Sequence, residues 1–215
     1  MFCSFDCAHS FLMFFCTINL SNQTEKEFVT LHLPDPVIER ELLHTRSIIF
    51  KGYRRKDNLW DIEGHLTDVR ANDVNFPGGH RRGGDPIHDM WMRLTVDAAC
   101  VIREVQTSMD AVPYEGTCGN IQSRYACIVG MRVGSGFRGQ IRQLLGGING
   151  CTHMTELLLS MGTAIIQTLE GEIPFLQDEK PFALDGCHAL DTSGRLVAEF
   201  HPRWYRPGSA TSPAE

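Results

Sequence analysis

The chain has no excess of positive charge: its 215 residues hold 20 Lys and Arg against 26 Asp and Glu, a net charge of −6. That balance removes the electrostatic case for nucleic acid, because a phosphate-binding face needs clustered cations to release counterions. The basic groups Arg54–Arg55–Lys56 and Arg81–Arg82 are small and read as solvated strand ends. No apolar run is long enough to cross a bilayer, which takes about 20 residues. There is no C-x-x-C pair, so no local zinc signature is present, and no G-x-S-x-G, so a serine hydrolase has no support. No internal repeat is visible.

What is present suits a folded domain. A hydrophobic share of 42% and a charged share of 21% are ordinary for a globular protein, and the length fits one domain with appendages. Eight cysteines without a compact framework spacing point to a reducing, cytoplasmic setting. Residues 11–20, FLMFFCTINL, resemble the apolar part of a signal peptide but lack a basic start and a small-x-small cleavage site. Residues 1–35 are therefore expected to be a poorly ordered leader, 36–206 a single α+β domain, and 207–215 a flexible tail.

Within that domain a short helical piece is expected around Val37–His44, then strands. Arg46–Arg55 is apolar and β-branched. Leu59–Val69 alternates, with Trp60, Ile62, Gly64 and Leu66 on one face and Asp61, Glu63, His65 and Thr67 on the other. Residues 71–86, rich in glycine, read as a long loop. Met90–Val96 alternates again and Val101–Met109 makes a fourth strand. No helical segment separates these runs, so the sheet should be antiparallel, with about four to six strands. Three helices follow: one through Ile121, Tyr125 and Ile128, one over Phe137–Leu145, and a long one carrying Met154, Leu157, Leu158, Met161, Ile165 and Leu169, ended by Gly171 and Pro174. Cys187–Leu190 and Arg195–Phe200 flank Asp-Thr-Ser-Gly, a turn signal for a terminal hairpin. Strands first and helices afterwards define an α+β class.

Cys118 and Cys151 share a setting, each following a glycine-containing turn and opening a helix. Thiols so placed meet unpaired N–H groups and the positive end of the helix dipole, which favours thiolate, a nucleophile and a soft metal ligand. His88, in DPIHDMW, lies where the glycine-rich loop enters a strand. If these elements converge, His88, Cys118, Cys151 and either Asp89 or His153 form a four-ligand set for zinc or iron. The plainer alternative keeps Cys151 as a small packed residue, with Thr152 as N-cap and His153 and Glu156 in the first turn. Gly134-Ser135-Gly136-Phe137-Arg138-Gly139 fits a dinucleotide fingerprint in form only, because no parallel βαβ unit surrounds it. The ionisable strand face, Asp61–Glu63–His65 with Asp68 beyond, is either a solvated surface or a carboxylate–imidazole row able to act as general base or to support a metal-bound histidine.

GYRRKDNLWDIEGHLTDV, DPIHDMWMRLTVD, VPYEGTC, VGSGF and GGINGCTHMTELL, in this order, resemble a bacterial family known as a domain of unknown function, number 2889, over roughly residues 46–200. The resemblance carries no activity. In its order of elements the chain is also similar to iron–sulfur scaffold proteins of the NifU-like type: DPIHDM stands at their first ligand turn, Cys118 at their central cysteine and Cys151 at their last. That similarity implies that His88, Asp89, Cys118 and Cys151 converge on one metal, with histidine replacing the first cysteine. The expectation is a metal-dependent enzyme, a lyase or hydrolase, acting on a small organic substrate. Glu63, His65, His153 and Glu156 are its acid–base candidates, and Trp60, Trp91 and Tyr114 are expected either to line an apolar pocket or to serve as plain core aromatics. The alternatives are a metal or iron–sulfur carrier, and a metal-free enzyme with Cys151 or Cys118 as nucleophile and His153 as base.

Overall fold

Alternation with a period of two builds the sheet. In the computed structural model, which describes residues 33, 35–172, 180–181 and 183–207, six strands form: β1 (His44–Arg54), β2 (Trp60–Arg70), β3 (Val74–Phe76), β4 (Gly79–Arg81), β5 (Pro86–Val96) and β6 (Ile102–Ala111). Four of them make one antiparallel sheet in the order β1-β2-β5-β6, and β3 and β4 pair separately. The chain divides into two units, Met1–Arg40 and Glu41–Glu215, and this architecture belongs to the second.

One face of β2 and β5 is apolar and dry: Trp60, Ile62 and Leu66 lie beside Met90, Met92, Leu94 and Val96, none more than 7% exposed. Helix α2 (Thr152–Leu169) lies across β1 and β2 on this face and buries Met154, Leu157, Leu158, Met161, Ile165 and Leu169. Two glycines allow the close approach. A Cβ on Gly52 would sit 2.2 Å from Thr168 Oγ1, and one on Gly64 would meet Leu157 and Met161 at 3.1 Å. Helix α1 (Phe137–Leu145) packs on α2 through Phe137, Ile141 and Leu145, after Gly136 in the left-handed region (φ 82°) that glycine enters without strain. Cys118–Ile128 forms a 3₁₀ helix against β6, burying Tyr125 and Ile128.

The α+β class, the antiparallel sheet and the three covering helices agree with the sequence reading, and Phe137–Leu145 agrees residue for residue. Three elements differ. Val37–His44 contains no helix: after a bend at Val37–Ile38 the chain has no regular structure until His44, which already pairs with Arg70 in β1. Val37 and Ile38 are exposed, so no packing offsets the cost of nucleating a helix there. The long loop encloses the β3–β4 hairpin. The expected terminal hairpin is a 3₁₀ turn (His188–Leu190) followed by helix α3 (Arg195–Phe200). Its turn signal is real: Asp191 Oδ1 accepts both the Ser193 amide and its hydroxyl at 2.8 Å, but the turn opens a helix instead of reversing a strand. The expected leader falls almost wholly outside the described residues, as do Pro174 and the tail from 208 on.

Candidate metal centre

The apolar rows of β2 and β5 do not end in apolar residues. Two positions past Leu66, on the same face, stands Asp68; two positions before Met90 stands His88; and the two residues are cross-strand partners. On β1, Arg46 is paired with Asp68 from the other side. The first turn of α2 brings His153 over the same corner. A polar group thus completes the core face where sheet and helix meet.

Asp68 is the hub, its side chain 4% exposed. Its Oδ1 accepts from Arg46 Nε at 2.8 Å and from His44 Nε2 at 3.0 Å. Its Oδ2 accepts from Arg46 Nη2 at 2.9 Å and from His88 Nδ1 at 2.9 Å, while His153 Nε2 lies 3.7 Å away. Arg46 Nη1 also donates to Glu156 at 2.8 Å. The His88 and His153 rings lie 3.7 Å apart between centroids, tilted by 32°. One ligand atom each from Asp68, His88 and His153 falls within 4.8 Å of the others.

The helix start that carries His153 is held by Tyr125. The buried phenol oxygen accepts the Cys151 amide at 3.0 Å and lies 3.1 Å from both the Cys151 carbonyl and Thr155 Oγ1. Thr155 in turn donates to the Leu145 carbonyl. Cys151, not Thr152, is the N-cap residue, with no side-chain cap bond.

Burial opposes ionisation of Asp68, but the Arg46 guanidinium, helped by His88 and His44, holds its carboxyl below the ordinary carboxylate value. Burial lowers His88, and His153 beside it adds to this, against the pull of Asp68. Burial also lowers His153, with Arg46 second and Asp68 and Glu156 opposing. Both shifts favour the neutral imidazole, in which one ring nitrogen carries the proton and the other a lone pair able to bind a metal or take a proton. A dianionic or triply thiolate site this is not; it is two neutral nitrogens and one carboxylate.

Of the residues singled out by sequence, His88 and His153 meet here and Glu156 stands beside them through Arg46. Cys151 is adjacent, its Sγ 3.9 Å from His153 Nδ1. Cys118 belongs to no such group among the described residues: it opens the 3₁₀ helix against β6, and the residue of that helix that reaches the start of α2 is Tyr125. Asp89 faces the opposite side of the sheet, where it binds His65 Nε2 at 2.7 Å and the His65 ring stacks on Trp91 at 3.7 Å. Glu63, on that outer face too, pairs with Arg93. Trp60 is buried in the core and Tyr114 meets Phe76 edge-on, so the three aromatics share no pocket. The expected row Asp61–Glu63–His65 with Asp68 beyond divides between the two faces: Asp68 lies on the core face, and Arg46, expected only as a strand start, pairs with it. The signal that reveals them is the even-numbered parity of Trp60, Ile62, Gly64, Leu66 and Asp68, which puts a carboxylate at the end of a core row.

Sheet, covering helices and this corner define an α+β domain whose buried polar group has the composition of a metal-ligand set. The chain belongs to the family described as a protein of unknown function (DUF2889), whose model matches residues 44–167. The matched span runs from the first residue of β1 into α2 and contains every member of the cluster, but it stops short of residue 200. No curated protein and no solved structure matches the chain, so nothing in the comparisons supports the NifU-like likeness.

Proposed function

We propose that the chain is a metal-dependent enzyme acting on a small organic substrate, of lyase or hydrolase type, with Asp68, His88 and His153 holding one zinc or iron ion. The observation that carries this reading is the mutual approach of the three donor atoms. His153 Nε2 lies 3.7 Å from Asp68 Oδ2, near the roughly 3.3 Å edge expected for a tetrahedron with bonds near 2.0–2.1 Å, and a metal taken up by His88 through Nδ1 would displace the proton that this nitrogen now donates to Asp68 at 2.9 Å. Two imidazoles and a carboxylate are also the donors of the open facial sites used by iron enzymes. When bound, such an ion polarises a carbonyl or lowers the pKa of a water molecule.

The surrounding residues have their own tasks. Arg46 and His44 hold Asp68 ionised and fix its orientation, the hydrogen bonding a ligating carboxylate needs. Tyr125 sets the start of α2, and through it the position of His153. Glu156, half exposed beside Arg46, is the carboxylate best placed to exchange a proton with solvent or substrate. The described residues include no helix long and apolar enough to cross a membrane, and the cysteine usage suits a cytoplasmic protein.

Metal analysis tests the proposal. Protein purified anaerobically and reconstituted with zinc or ferrous iron should carry about one ion per chain, and His88→Ala and His153→Ala should lose it while Cys118→Ala retains it. A wild-type chain that takes up neither metal overturns the reading. The approach of Cys151 Sγ to His153 favours a second one, a thiol nucleophile with His153 as base. Iodoacetamide-sensitive turnover by metal-free protein would select it. A cluster carrier draws less support, because no cysteine joins the ligand group among the described residues.

A further inference from the structure

Arg70 stands two residues beyond Asp68 on β2. The β1–β2 register runs without a break to its pairing with His44, so Arg70 occupies the same face as Asp68 and His44. Along a strand, two residues advance about 7 Å, a span that an arginine side chain covers. Its Nε is buried and has no hydrogen-bond partner, and its side chain forms no ion pair among the described residues. Arg46 next to it is fully engaged, with Asp68 and Glu156.

A guanidinium nitrogen removed from water without an acceptor is costly, more so than for a neutral donor, and such an orphan marks the place of a missing partner. Charge points to the sign of that partner. Arg46 already serves Asp68 and Glu156, whereas the guanidinium of Arg70 meets no carboxylate among the described residues. A cation without a counter-charge takes an anion as its missing partner.

We infer that Arg70 is the substrate-recognising residue of this site and binds an anionic group, a carboxylate or a phosphate, through its planar fork of donors. The inference rests on the metal reading for the place where the rest of the substrate reacts, but anion binding by Arg70 does not require the metal. The substrate is then a small organic acid or phosphate ester, anchored at Arg70 with its reacting end toward His88 and His153.

The full chain, metal-free and zinc-loaded, would be titrated with inorganic phosphate and separately with acetate while the arginine Nε–H resonances are followed by NMR. The Arg70 signal is assigned in the wild-type chain by through-bond correlation with its own backbone resonances, and its absence in Arg70→Lys confirms the assignment. It should shift and saturate with one of the two anions, and the tighter anion assigns the class. Arg70→Lys should bind that anion about tenfold more weakly with unchanged zinc content. A resonance that neither anion moves, or equal anion affinity in wild type and Arg70→Lys, overturns the inference. The wild-type titration stands even if the variant does not fold. A chain that takes up no zinc defeats the metal reading alone, and the metal-free titration still decides the role of Arg70.

Discussion

On the core face of the sheet His88 Nδ1 meets Asp68 at 2.9 Å, and on the outer face His65 Nε2 meets Asp89 at 2.7 Å. The two pairs use the same residue types on the same two strands and have nearly the same length. Their surroundings separate them. The Asp68 side chain is 4% exposed and serves Arg46, His44 and His88, with His153 close by; the Asp89 side chain is 28% exposed and serves one imidazole lying flat on Trp91. A short hydrogen bond therefore says little about a site by itself. Removal from water, which makes each unpaired partner costly, is what turns a His–Asp contact into a centre with shifted protonation and unused ligand capacity.

The largest expected effect breaks this contrast directly. Asp68→Asn should cost about 3 kcal/mol, the low end for breaking a buried pair because Arg46 is partly exposed, while Asp89→Asn should stay within about 1 kcal/mol. Urea unfolding of the two variants measures both, and equal costs would abolish the distinction between the faces. Next comes the seat of α2 on the core face. Gly52→Ala should lose about 2 kcal/mol, since Thr168 Oγ1 is tied to the Ala164 carbonyl and cannot retreat freely. Gly64→Ala should lose less, because the ends of Leu157 and Met161 can shift by tenths of an ångström.

Tyr125→Phe sharpens the comparison from the helix side. It leaves the Cys151 amide without its acceptor, so a loss of about 1–2 kcal/mol and weaker metal uptake at His153 should appear together in thermal unfolding and metal titration. The outer-face pair should be unaffected. The smallest effect concerns Asp97, a carboxylate on neither face, in the β5–β6 turn. Burial pushes its carboxyl up, but the Val101 and Ala99 amides and Arg103 hold it below the ordinary value. Its folded value is depressed, so its contribution is complete above the unfolded value near 3.9 and fades as pH falls through the folded value. Asp97→Asn should lower stability slightly at pH 7, where the contribution is complete, and flatten the acid limb, so that its difference from wild type narrows below about pH 4.

How far the sequence could be read follows the range of each interaction. Trp60–Leu66 and Met90–Val96 announce their strands because alternation is local, and Phe137–Leu145 announces α1 because its apolar residues recur one helical turn apart. Arg195–Phe200 was misread because a run with a single buried residue, Val197, has no clear period. At the candidate site His88 and His153 were visible as residue types. Cys118 and Cys151 looked alike because the setting before a helix is the same for both, although only Cys151 lies beside the cluster, through His153. Asp68 was legible only as the far end of the ionisable row and Arg46 only as a strand start, because charged residues near strand ends are normally solvated; pairing across β1, β2 and β5 is what removes Asp68 from water.

Local order along the chain thus determined that this protein would be α+β, which face of each strand is dry, and where α1 and α2 run, because side-chain direction repeats every two or 3.6 residues. Which histidine meets which carboxylate was decided by tertiary structure alone. Strand register and the landing point of α2 set those distances, and both depend on contacts between residues far apart in the chain, such as Gly52 with Thr168 and Tyr125 with Cys151.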